Sequence, residues 1–232
     1  MQDKNWINLV FVIDKSGSMY HSKDDVTGGF NKVIEEQKAI KEGKVTVSLF
    51  TFDSEVNKLY VGKDINDIPE FKYEPFGMTA MNDGIGTAID TVGNWLHDKD
   101  KAGEDMPAKT LVVVMTDGLE NSSKEYTLNQ VKDKIKEQTD KYSWEFIYMG
   151  MDITTTKDAD DLGFKFKTYS SKKNLSNNYN IINSATTAYR SMAASDASLA
   201  TMDMCLSEML AEETKKNTEA YEKEIGRKLA NT

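Results

Sequence analysis

"INLVFVID", residues 7–14, runs directly into "KSGSM", residues 15–19. The apolar run is too short for an ordinary helix, rich in β-branched residues and nearly continuous rather than alternating. That pattern reads as a strand buried on both faces, as in a parallel sheet covered by helices. The run stops at a carboxylate, Asp14, and hydroxyls follow at alternate positions, Ser16 and Ser18. In an extended turn, alternate side chains can share one direction, and Gly17 allows a tight bend.

The rest of the chain supports a sheet around this strand. Val26, Phe30, Val33, Gln37 and Ile40 recur at helical spacing, with a stop near Gly43. "KVTVSLFTF" (44–52) reads as a strand, and only "DSEV" separates it from the more polar "NKLYVG". Four residues cannot make a parallel crossover, so these two strands form an antiparallel hairpin with the second at the edge. After a loop-rich passage at 62–78, Ile85, Ile89, Val92 and Leu96 mark a helix. "TLVVVM" (110–115) is another fully apolar strand, and Leu128, Val131 and Ile135 mark a helix after it. "WEFIYMG" (144–150), a short helix in "TTTKDADDLG", a strand in "FKFKTY" (164–169) and a helix through Leu175, Tyr179, Ile182, Tyr189 and Met192 follow. Strands alternating with helices predict an α/β, doubly wound, mostly parallel sheet.

The 232 residues suit one such domain, 1–195, with a helical C-terminal extension, 196–232. The extension has no strand signal. Met202, Leu206, Met209 and Leu210 lie at helical spacing, and mixed charges are dense beyond Glu208. It reads equally as a helix packed on the domain and as a partner-binding arm, and it is expected to be separable. The formal charge of -9 disfavours binding to a phosphate backbone, and "SSKKNLSNN" (170–178) is the one small basic cluster near the domain. The single cysteine, Cys205, forms no internal disulfide, and no apolar run is long enough to span a bilayer. A cytoplasmic protein with no nucleic-acid or membrane partner is expected.

In parallel α/β sheets, sites form beyond the carboxyl ends of the strands. Asp14, Ser16 and Ser18 follow the first strand. Thr116-Asp117-Gly118 follow "TLVVVM", and Thr79 lies in a loop ahead of a helix. Asp14, Ser16, Ser18, Thr79 and Asp117 all offer oxygen and none offers nitrogen or sulfur. That set suits a hard divalent cation, Mg²⁺, Mn²⁺ or Ca²⁺. Each piece also has a plainer reading: Asp14, Ser16 or Thr79 as a helix cap, and Asp117-Gly118 as an ordinary turn.

"VFVIDKSGSM", "FGMTAMNDGIGTAI" and "LVVVMTDGLENSS" resemble, in order, the three segments of a von Willebrand factor A domain with a metal-ion-dependent adhesion site. The resemblance spans about residues 6–195, and "FDSEV" and "PEFKYEPFG" fit the pattern of intracellular microbial members. It implies a Rossmann-like six-stranded sheet with one antiparallel edge strand. Ser16, Ser18 and Thr79 are implied as hydroxyl ligands, direct or through water, and Asp14 and Asp117 as acting largely through water or as acceptors for the groups around the ion. Lys15 departs from the usual pattern; if alternation holds, it points away from the ion.

The implied function is protein binding, with a partner's acidic residue completing the metal's coordination, and no catalysis. The competing reading is a Mg²⁺-dependent hydrolase of the haloacid dehalogenase kind. That chemistry needs a second carboxylate two residues after the first, where this chain has Ser16. His21 and His97 are the only histidines, and both are expected at the surface.

Overall fold

A computed structural model of the chain describes residues 1–151, 156–169, 175–193 and 198–230. Part of the basic cluster, 170–174, lies outside the described residues. The elements in chain order are β1 (Gln2–Asp14), α1 (Lys23–Ala39), β2 (Lys44–Phe52), β3 (Val56–Asp64), α2 (Met81–Lys101), β4 (Met106–Thr116), α3 (Leu128–Tyr142), β5 (Glu145–Gly150), α4 (Thr156–Asp161), β6 (Phe166–Tyr169), α5 (Leu175–Ala193) and α6 (Leu199–Ala230).

The six strands make one sheet in the order β3-β2-β1-β4-β5-β6. β1 is parallel to both β2 and β4, so it lies in the middle of the sheet, as its unbroken apolar run requires. Only β2 and β3 pair antiparallel, through the predicted hairpin. Side chains alternate between two cores. Ile7, Leu9, Phe11 and Ile13 face α1 and α5, whereas Val10 and Val12 face α2 and α3. From β1 the chain goes to β2 on one side and later to β4 on the other. The crevice between the ends of β1 and β4 is therefore the switch point where α/β sheets form sites.

The extension is a single long helix, α6, and its first half is core. Met202, Leu206 and Leu210 are fully buried with α1 and α5 on one face of the sheet. Farther along, Asn217 donates to Thr168 Oγ1 at 2.6 Å, and Thr218 Oγ1 donates to the Lys167 carbonyl at 3.4 Å. Tyr221 reaches the core on the opposite face. The helix thus passes around the β6 edge, and this burial does not fit a separable tail.

Two buried cations fasten the periphery. Lys109 Nζ donates to the Ser143 carbonyl at 2.5 Å and lies 3.0 Å from Asp203 of α6 and 3.5 Å from Glu145. The Arg190 guanidinium of α5 donates to the carbonyls of Gln37, Ile40, Glu42 and Gly43. It thereby satisfies acceptors that the end of α1 would otherwise leave open.

Candidate metal centre

Parallel register sets the centre of the site. Ile13 of β1 stands beside Met115 of β4, so Asp14 and Thr116 meet one step further on. Thr116 Oγ1 donates to Asp14 Oδ2 at 2.6 Å, and the Ser16 amide donates to Asp14 Oδ1 at 2.7 Å. The Asp14 side chain is fully buried, and burial pushes its carboxyl up to about 6, with the two hydroxyl hydrogen bonds and the amide opposing that shift.

The other four predicted residues gather around it. Ser16 Oγ lies 3.0 Å from Ser18 Oγ, and Ser18 Oγ donates to Asp117 Oδ1 at 2.5 Å. Asp117 is close enough to Asp14 for its charge to help raise the Asp14 carboxyl. Gly118 places Thr79 in the group: a Cβ on Gly118 would stand 3.3 Å from Thr79 Oγ1 and 3.6 Å from Ser18 Oγ. Three loops that are distant in the chain, at 14–18, 79 and 117, therefore converge on one cluster of oxygens. Asp14, Ser16, Thr79 and Asp117 are buried, and Ser18 opens to solvent.

The capping readings do not hold. Ser16 begins a short 3-10 turn but makes no side-chain cap bond. The N-cap of α2 is Ala80 rather than Thr79. Asp117-Gly118 remains a turn, with the Gly118 amide 3.2 Å from Thr116 Oγ1. Lys15 points away, as alternation predicts, and its Nζ pairs with Asp53 at 2.7 Å.

Further residues hold the loops, and spacing in the sequence gives no sign of them. Asn121 and Thr79 exchange two bonds: Thr79 N to Asn121 Oδ1 at 2.9 Å and Asn121 N to Thr79 O at 3.0 Å. The Glu120 carboxylate accepts from the amides of Asn82, Ser122 and Ser123. Asp83, in the first turn of α2, accepts from the amides of Lys124, Glu125 and Tyr126. The one available signal is an acidic residue in a helix's first turn, where the dipole favours it. The Gly17 amide donates to the Gly77 carbonyl at 3.1 Å, and Gly77 adopts φ +84°, which favours glycine.

This donor set fits a hard divalent cation. Among the described residues no group of three or more His, Cys, Asp and Glu could hold a metal, so hydroxyls must supply part of any shell. Asp14 forms no ion pair with any described Lys, Arg or His, although a carboxylate this deeply buried is costly without a cation. The close approach at Gly118 keeps the Thr79 and Ser18 hydroxyls free of an intervening side chain.

The fold and the order of these loops define a class. A model of the von Willebrand factor type A domain matches residues 8–201, and the chain belongs to that family. The sequence matches no curated protein. Among solved structures, proximal thread matrix protein 1 from the mussel byssus is similar at 17% identity and a TM-score of 0.58, over 77% of this chain and 45% of that one. A structure of the same mussel protein is described as having a zinc-occupied MIDAS motif (15% identity, TM-score 0.50, 81% and 46% of the chains). The PilB minor pilin of Streptococcus sanguinis is similar at 13% identity and 0.56, over 80% and 61% of the chains. Manganese-loaded TRAP protein of Plasmodium vivax is similar at 17% and 0.50, over 75% and 71%. The chain thus spans less than two thirds of the mussel and pilin chains, and at these identities the likeness is one of fold.

Proposed function

We propose that this chain is a divalent-metal-dependent protein-binding module. Asp14, Ser16, Ser18, Thr79 and Asp117 hold the ion, directly or through water, and an acidic side chain of a partner protein completes its shell. The observation that carries this reading is the convergence of four oxygen-bearing side chains around the buried Asp14 carboxylate, which pairs with no described basic side chain. A bound divalent ion supplies a centre of positive charge that a partner carboxylate satisfies through a strong charge-assisted contact. The chain's own residues orient the hydroxyls, and the Lys15–Asp53 pair keeps the nearest lysine from competing for the site. Mg²⁺ and Mn²⁺ are the first choices and Ca²⁺ the next. The zinc and manganese named for two structural neighbours make Zn²⁺ a necessary arm of any test.

No observation favours hydrolysis. His21 sets its ring edge-on to Tyr20 at 5.6 Å. His97 lines a separate cavity with Asp90, Asn94 and Trp144. Protein stripped with EDTA is expected to gain about 5–10 °C in Tm at an ion concentration a hundredfold above Kd. Ser16→Ala and Asp14→Ala should abolish that gain. A wild-type protein indifferent to Mg²⁺, Mn²⁺, Ca²⁺ and Zn²⁺ would sink the metal reading. Metal-dependent phosphatase turnover that disappears in Asp14→Asn would replace it with the enzyme reading.

A further inference from the structure

Eight large apolar side chains stand exposed among the described residues, and four of them lie on the three loops of the metal centre. They are Tyr20 (61% exposed), Phe76 (79%), Met78 (53%) and Leu119 (49%). Tyr20 comes two residues after Ser18, and Leu119 two after Asp117. Phe76 and Met78 flank Gly77, whose carbonyl is bonded to the Gly17 amide. Single exposed apolar residues need no explanation, but four gathered around one polar cluster mark an interaction surface.

The surface is held in advance. The Phe76 amide donates to the Lys15 carbonyl at 2.8 Å, and the Met78 amide donates to Ser54 Oγ at 3.0 Å. Backbone fixed in this way lowers the ordering cost of binding. Aromatic residues and Met are also the side chains most enriched at interfaces. Charge narrows the occupant further. The chain carries a formal charge of -9, so a run of acidic residues is repelled everywhere except at the ion.

We infer that the occupant of this surface is a segment of another protein carrying one Asp or Glu closely flanked by large apolar side chains, and not an acidic run. The inference rests on the metal-bridged reading above. The carboxylate goes to the ion, and the flanking apolar groups pack on Tyr20, Phe76, Met78 and Leu119.

The test is selection of phage-displayed random dodecapeptides on the full chain in Mn²⁺, with elution by EDTA. The recovered peptides are expected to hold a single acidic residue with an aromatic or large aliphatic residue within three positions. The strongest peptide, labelled and followed by fluorescence anisotropy, should bind the Tyr20→Ser/Phe76→Ser variant at least tenfold more weakly than wild type. Phe76→Leu should bind nearly as well as wild type. The metal-induced rise in Tm is read on each variant in parallel and should persist. Acidic runs among the eluted peptides, EDTA-eluted peptides without apolar flanks, or full-strength binding by the double variant would each overturn the inference. A clear metal-induced rise in Tm with no EDTA-eluted peptide also overturns it and leaves the metal centre standing. A wild-type protein that shows no metal-induced rise in Tm and yields no EDTA-eluted peptide brings down the metal reading itself.

Discussion

Asp14 lies between the Thr116 hydroxyl and the Ser16 amide, and burial pushes its carboxyl from the ordinary 3.8 to about 6. The sign of the consequence is fixed. Below about 3.8 the group is protonated whether the chain is folded or not. Between 3.8 and 6 only the folded chain keeps the proton, so stability falls as pH rises through that window. Above it the buried charge is a constant penalty in metal-free protein. In EDTA, the stability of wild type relative to Asp14→Asn should therefore drop by up to about 3 kcal/mol between pH 4 and pH 7. Urea unfolding across that range measures it, and a difference that stays flat with pH would refute it. A second residue-scale expectation concerns Gly118, where an added Cβ would stand 3.3 Å from Thr79 Oγ1. Gly118→Ala should weaken Mn²⁺ binding by roughly tenfold, about 1.4 kcal/mol. It should leave the metal-free Tm within a few degrees, and unchanged affinity by calorimetry would show that Thr79 does not need this close approach.

Among the elements, α6 packs on the domain, one of the two readings its sequence left open. Its three fully buried residues, Met202, Leu206 and Leu210, contribute about 1.5–3 kcal/mol each when removed from water. Their sum, about 5–9 kcal/mol, rivals the whole stability of an ordinary domain. A chain ending at residue 198 is therefore expected to aggregate or to lose its cooperative thermal transition, as read by light scattering and calorimetry. A soluble monomer with a wild-type Tm would return α6 to the status of an appendage. The strands, by contrast, were legible because the doubly buried ones carry unbroken apolar runs such as "INLVFVI" and "TLVVVM". β6 is shorter than its alternation suggested, at Phe166–Tyr169. The clustering of the five candidate residues was legible because Asp14, Ser16, Ser18 and Asp117 follow strand ends and Thr79 lies just ahead of α2. Asp83, Glu120 and Asn121 were not, since they accept amide hydrogens from loops about 40 residues away and leave no local pattern. The reach of α6 to both cores was hidden for a related reason, because helical spacing says which side is apolar and not what covers it.

At the scale of the whole molecule, the candidate metal centre draws together loops that follow β1, precede α2 and follow β4. The Lys109–Asp203 pair fastens α6 near Ser143, where α3 ends and β5 begins. Adding Mn²⁺ should therefore slow hydrogen exchange at 14–19, 76–83 and 117–123 while leaving α6 unchanged, since an ion stabilises most strongly the segments it bridges. Protection spread evenly over α6 would instead reveal a coupling between the loops and that helix. The passage of α6 around β6 also bears on how this protein can join others. A sheet ordinarily has two free margins at which a foreign strand can add itself. Here one margin is wrapped by a helix, and the other, β3, carries the exposed Lys58. Recruitment of a neighbour's strand is thus closed off on the wrapped side and discouraged on the other. Under the proposed metal-bridged binding, contacts are therefore expected at the loop-bearing end, where a partner would meet the protein along the strand axis, as a cap meets a cylinder.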